Sequence, residues 1–346
     1  MAITTIAPTR TSGIVAPAGG RRESSEAFLR ARGLLLRGVS TLASVAIVAF
    51  VSTSLTYLLL YLTPINAADQ ILGENGTPAE IHRLAVALGT NKPFVDQYWT
   101  WFSRALHGNL GDSYFTHISV AYSIGQRFPV DLSIATLAII LALVLGFTGG
   151  IIAARNRGRW IDRGVTAMAS LGTSIPEFWL AMLLIIVFAV VFHLLPSGGY
   201  VGPSGDFPGW LQHAILPSFS LAVIPAAGIA RQLRTALVEE LDQNYVVGAV
   251  VRGLPRNRVL LRHALRNASG PAVASLGLYV PQLIGGAIIA ETVFGLPGLG
   301  QFALEGAQGK DMPVIQGVII VLIIFTLVTN LIVNAILGWL RPGTKV

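Results

Sequence analysis

"YVVGAVVRGLPRNRVLLRHALRN", Tyr245 to Asn267, packs five arginines and a histidine into a chain that is otherwise apolar. On either side the charge vanishes: Ile215–Ala230 and Ala268–Ala290 hold no Asp, Glu, Lys, Arg or His. The stretch is therefore either part of a soluble basic domain or a polar loop between two membrane crossings. Composition decides between them. Of 346 residues, 53% are hydrophobic and only 12% charged, against about a quarter charged in soluble domains. The apolar residues fall in blocks long enough to cross a bilayer.

Working outward from the insert, six such blocks are expected to be helices, at 39–62, 129–154, 165–195, 213–234, 268–291 and 312–340. Pro217, Pro225, Pro271 and Pro281 fall inside them; neighbouring helices in a membrane re-satisfy the backbone groups that proline frees. The expected fold class is an all-α integral membrane protein. The first block is longer than a signal-peptide core and no A-x-A site follows it, so it reads as a retained helix. The 24 Lys and Arg residues split 19 to 5. Six precede Ser40, four lie in Arg155–Arg163, seven in Arg231–Arg266 and two follow Leu340. The positive-inside rule places all of these, and both termini, in the cytoplasm. The arginines track sidedness, which removes the case for nucleic acid. Cysteine is absent, which removes disulfides, thiolate metal sites and cysteine nucleophiles.

Residues 1–30 are expected to be a disordered cytoplasmic segment, and 31–346 a transmembrane domain. Between the first two helices, 64–128 is expected to form an outer subdomain. There Thr77-Pro78-Ala79-Glu80 reads as a capping box with proline at the first helical position. Ile81, Leu84, Ala85 and Leu88 then repeat at helical spacing and Gly89 closes the helix. A second helix is expected over Pro93–Leu106, with Tyr98, Trp101, Phe102 and Ala105 as its apolar stripe.

In the insert itself, Asn244 is a candidate N-cap, Tyr245–Leu254 a short helix, Pro255 a break, and Arg256–Arg266 a second basic helix leading into the membrane. A helix as short as Tyr245–Leu254 needs something to bury against. Two arrangements fit: it lies on lipid, its arginines meeting head groups, or it docks into a groove of a soluble partner. Spacing alone does not separate them.

"YVVGAVVRGLPRNRVLLRHALRNASGP" resembles the cytoplasmic loop of ABC-importer permeases, the segment that carries the EAA motif, in its peptide-importer form. The match lies at Tyr245, Val246, Ala249, Gly253, Leu254, His263, Ala264, Leu265, Arg266, Asn267 and Pro271. It departs at Gly248, Val250, Val251, Ser269 and Gly270. "LGENGTPAEIHRLAVALGTNKPFVDQYWTWFSRALHGNLGDSY", "RNRGRWIDRGVTAMASLGTSIPEFWLAMLL" and "AETVFGLPGLGQFALEGAQGKDMPVIQG" are similar, in order and spacing, to the first (B-type) permease of dipeptide and oligopeptide importers. Thr63-Pro64-Ile65-Asn66 departs from that family's usual Pro-Gly-Asp-Pro. The resemblance implies a type I importer fold and a permease in the bacterial cytoplasmic membrane. Its partners would be a second related permease, two ATPase subunits or a fused pair, an extracytoplasmic binding protein, the peptide substrate and membrane lipid. ATP and magnesium would be used by the ATPases; this chain would bind no cofactor and be no enzyme. Tyr245–Leu254 would be the coupling helix, with Tyr245, Val246, Gly248, Ala249, Arg252, Gly253 and Leu254 forming its surface.

No phosphate-binding G-x-x-x-x-G-K-[ST] motif is present; the single Gly-Lys pair, Gly309-Lys310, has Leu304 and Asp311 where the motif needs Gly and Ser or Thr. Ionisable residues in the spans are functional candidates. Glu177 follows Pro176 and is a candidate for the translocation path. Asp131 and Glu291 sit near outer ends, as hydrated carboxylates or acceptors for backbone N–H, and the resemblance places Glu291 in a scaffold. His193 lacks a partner at i+3 or i+4 for a metal. Phe294–Gly300, "FGLPGLG", is either a turn or a re-entrant gate segment, with Phe294, Pro297 and Gly298 as gate candidates. Asn330 and Asn334 share a face of the last helix and either line the path or bond across helices. Related cargoes (nickel, glutathione, oligosaccharide, opines) fit the same machine. An ATP-independent secondary transporter is the alternative of another class, without the paired charges or inverted repeat it would need.

Overall fold

The computed structural model describes residues 41, 43–64, 66–73 and 76–340. The expected disordered segment, and the basic residues before Ser40 and after Leu340, lie outside them. The residues up to Phe50 and those from Val51 onward form two units. In the first, residues 43–50 are helical.

Among the described residues, four helices are long and apolar enough to cross a membrane: α1 (Ala43–Tyr61), α5 (Val120–Arg155), α8 (Phe207–Leu241) and α13 (Met312–Leu340). Two further crossings are bent. α6 (Trp160–Ser174) turns by 105° into α7 (Glu177–Leu184), which runs on as a π-helical stretch, Ile185–Val191. The third expected block, 165–195, is thus broken and not continuous. Pro176 is the cause, since the residue before proline is pushed out of the helical region; Ile175 has ψ 127. α11 (Leu265–Phe294) bends by 65° between Val280 and Gly285. Counting each bent pair once, the crossings number up to six. α5 begins at Val120 and carries Pro129 inside it, so the outer subdomain ends earlier than 128.

The core is α5 packed along α8. Ala138, Ala142, Gly146, Gly150 and Ala154 form a stripe at every fourth residue, and each is buried. A Cβ on Gly146 would stand 2.7 Å from Ile229 Cβ, and one on Gly150 2.9 Å from the Ala230 carbonyl oxygen. Only small residues allow this approach, the usual way helices associate where lipid offers no hydrophobic drive.

The outer subdomain folds largely as its local signals dictate. α3 (Pro78–Leu88) has the Thr77/Glu80 capping box in place, and Gly89 closes it at φ 75. α4 (Phe94–Leu106) buries Tyr98 and Trp101 against Tyr57 and Met312. α2 (Ala67–Leu72) was not expected; Asn66 and Asp69 form a second capping box at its start. Asn66, in the tetrapeptide that departs from the usual family pattern, is therefore a helix cap. Between α12 (Leu299–Gly309) and α13, Lys310 and Asp311 tie the subdomain to the bundle. Lys310 Nζ donates to the Thr63 carbonyl at 2.6 Å. Asp311 Oδ2 accepts from Ser113 Oγ at 2.5 Å and from Tyr114 N at 3.1 Å. Burial pushes the Asp311 carboxyl above the usual carboxylate range, against the pull of these hydrogen bonds.

Candidate functional site

The insert forms α9 (Asn244–Val251), with Gln243 preceding it. Asn244 is thus the first helical residue and not the N-cap, and the helix stops before Leu254. It ends in a turn at Gly253, whose φ of 84 suits glycine. No neighbour crowds Gly248 or Gly253. Glycine at 253 is thus favoured by its backbone angle, and the space beside both glycines is open. α10 (Arg256–Arg258), a π-helical stretch Val259–Ala264 and α11 then follow as consecutive helical segments.

One face of α9 is fixed from within. Val246 and Ala249 are buried with Val259, flanked by Leu241 and Leu254. The Tyr245 hydroxyl donates to Glu240 Oε1 at 2.5 Å, and Asn267 Nδ2 donates to the same oxygen at 2.8 Å. Glu240 thus joins the end of α8 to both arms of the loop. Partial burial, and then this bond, push the Tyr245 hydroxyl up to about 12. The opposite face is bare, with Val247 54% exposed and Val251 81%; Tyr245, at the edge of the buried face, is 42% exposed. Arg252, Arg258, Arg262 and Arg266 are exposed around it and make no ion pair among the described residues. The result is an apolar ridge with a basic rim, held on a rigid base. Close by, Arg234 of α8 grips Asp162 of α6 with two bonds of 2.7 Å, and Arg157 pairs with Asp242 at 2.8 Å. Neither ion pair was foreseen, because no local spacing links residues so far apart in sequence.

At the outer side "FGLPGLG" is a helix cap followed by a new helix. Gly295 closes α11 at φ 62, Pro297 is exposed, and Gly298 precedes α12. Phe294 is buried, and its carbonyl accepts from Gly199 N at 2.8 Å. Asp131 and Glu291 both reach the first turn of α12. Asp131 Oδ2 accepts from Leu299 N at 2.8 Å; Glu291 accepts from Gly300 N at 3.2 Å and Gln301 N at 2.6 Å. Both carboxyls lie against the Cα of Gly298, where a side chain would displace them. Of the two roles open to these carboxylates, N–H acceptor is the one observed. Beneath them a cavity of about 60 Å³ lies between α5, α8, α11 and α13, lined mainly by apolar side chains.

At mid-depth the candidates separate. Glu177 is half-buried and faces Gly286 of α11. Asn330 packs its amide against Gly277 and donates to the Thr326 carbonyl at 3.0 Å; Asn334 is exposed on α13. The structure does not bring the two asparagines to one contact. His193 lies at the outer rim with φ 50. Among the described residues no group of three His, Cys, Asp or Glu could hold a metal ion.

Comparison with known proteins gives a consistent neighbourhood. The family profile described as "Binding-protein-dependent transport system inner membrane component" matches residues 146–346, and the profile for the N-terminal part of such membrane components matches 33–135. A putative peptide transport system permease protein of Brucella abortus is 36% identical over 313 residues, covering 90% of this chain and 98% of that protein. The dipeptide transport system permease protein DppB of Escherichia coli K12 is 33% identical over 317 residues, covering 85% and 94%. Among solved structures, the inward-facing MetNI methionine ABC transporter aligns with TM-score 0.52 at 18% identity, over 63% of this chain and 96% of the matched chain.

Proposed function

The chain belongs to the family of binding-protein-dependent transport system inner membrane components, and we propose that it moves dipeptides or oligopeptides across the cytoplasmic membrane, powered by ATPases that dock on α9. The observation that carries the reading is the bare ridge Tyr245–Val247–Val251 with its arginine rim. A lipid-facing helix would have no use for the Glu240–Tyr245–Asn267 brace. That brace is what a lever needs, because force applied to α9 then reaches α8 and α11 together.

In this mechanism ATP and magnesium are held by two partner subunits, or one fused pair. Their closure pushes α9, and the push passes through Glu240 and the Asp162–Arg234 clamp into α8 and α6. A second permease of the same kind completes the path. An extracytoplasmic binding protein delivers substrate to the outer face formed by α2–α4 and α12. Both termini face the cytoplasm. The peptide cargo is supported by the names of the relatives; nickel, glutathione and oligosaccharide remain outcomes of the test. The chain's own part is to bind, gate and transmit.

The test is uptake by proteoliposomes holding the two permeases, the ATPases and the binding protein, offered a dipeptide, a pentapeptide, nickel and a sugar. Peptide uptake that requires ATP supports the reading. Nickel or sugar uptake changes the cargo. Uptake driven by an ion gradient without ATPases sinks it.

A further inference from the structure

Three observations meet at Glu177. First, the residue opens α7 immediately after the 105° break at Ile175-Pro176. Second, the site is at membrane depth. Gly172, one turn earlier, packs against Val223, near the middle of α8. The Glu177 carboxyl itself rests on Gly286, just past the bend in α11, where even a methyl group would overlap both its oxygens. Third, this carboxylate has no hydrogen bond or ion pair among the described residues. The other acidic groups nearest the core are all engaged: Asp131 and Glu291 on α12, Asp162 on Arg234, Asp311 on Ser113.

A carboxylate at this depth is costly unless it meets water or a cation. A resident metal does not fit, since among the described residues no group of three His, Cys, Asp or Glu could hold one. The cations of this chain that are described lie toward the two membrane faces, at residues 155–163, 231–234 and 252–266 on one side and 83–127 and 310 on the other. We infer that Glu177 is the counter-charge for an ammonium group of the transported substrate, such as the free α-amino end of a peptide, taken up where the two broken spans meet. The inference rests on the reading of the chain as a peptide importer. A zwitterionic peptide leaving water needs one such partner for its amine, and a single unbraced carboxylate binds weakly enough to let it go. Among the described residues no backbone N–H donates to Glu177, so its carboxylate is available for a passing ligand.

The test compares a tripeptide with its analogue bearing a hydroxyl in place of the α-amino group. Uptake is measured in the reconstituted complex and expressed per loaded binding protein. Wild type should favour the amine. Glu177→Gln should cut that preference about tenfold, the loss of one charge-assisted contact, and Glu177→Asp should restore most of it. Glu177→Ser provides a second neutral variant should the glutamine not assemble. An unchanged preference in the neutral variants, or none in wild type, overturns the assignment and points to a fixed cation on the partner permease. Failure of wild type to import either compound with ATP would instead remove the peptide reading itself.

Discussion

Asp131 of α5 and Glu291 of α11 close on the same helix end, taking the N–H groups of Leu299, Gly300 and Gln301 between them. Two crossings that are remote in sequence are thereby joined through the first turn of α12. The arrangement explains the glycines of "FGLPGLG". Gly298 and Gly300 leave the space that the carboxyls occupy, and a Cβ at either would strike Glu291. The start of α12 is thus pinned by two spans. Any motion that separates α5 from α11 must release it.

Removing the pin should loosen that end. Glu291→Ala leaves two buried N–H groups without acceptors, at about 1–3 kcal/mol each, while Asp131→Ala leaves one. Thermal unfolding in detergent should fall for both, further for Glu291→Ala. Proteolysis near Pro297 should accelerate. Equal stability to wild type would mean that water replaces the carboxyls freely.

The α9 ridge makes a prediction about access. The chain has no cysteine, so Val251→Cys introduces a unique thiol at a position 81% exposed. It should react readily with a maleimide in the isolated permease and be protected when the ATPases bind. Gly253→Trp is a poor probe of the same surface, since φ 84 strains any side chain there by about 1 kcal/mol or more.

Asp162 and Arg234 join α6 to α8 through two short bonds. Asp162→Asn should destabilise the fold by about 1.5–3 kcal/mol, the worth of hydrogen bonds to a charged group. A double-mutant cycle with Arg234→Met should return a coupling of the same sign. Additive effects would mean that the pair is screened and contributes little.

Asp311 gives a pH dependence with a definite sign. Burial raises its folded-state pKa above the unfolded one. The folded chain therefore holds the proton more tightly, and the stabilisation is full below the unfolded value, about 4. It is lost as pH rises through the raised folded value. Measured against Asp311→Asn, which does not titrate, wild-type stability should decline over that window and then level off. A relative gain with rising pH would show the Ser113 and Tyr114 bonds outweighing burial.

How much of this was readable beforehand follows from the range of each interaction. The apolar blocks, the Thr77 cap, α4 and the proline break inside the insert rest on residues a few positions apart, and periodicity reports them. The stripe Ala138–Ala142–Gly146–Gly150–Ala154, at every fourth residue, was equally local, but its meaning depends on α8 lying opposite. α12 was hidden because glycines punctuate its start and its cap comes from two other spans. The Asp162–Arg234 clamp and the Glu177–Gly286 contact are purely tertiary. The turn at Gly253 was visible as a glycine, yet only the left-handed φ says why it must be one.

The central claim is that ATP drives peptide through this chain by way of α9. Its most direct measurement is ATP-dependent peptide uptake by the reconstituted complex carrying Val251→Asp, which puts a carboxylate on the exposed crest of the ridge. The account predicts at least a tenfold loss of uptake and of ATPase binding, with the permease's own unfolding temperature unchanged because Val251 touches little of the fold. Uptake at the wild-type rate, with the ATPases still bound, would contradict it.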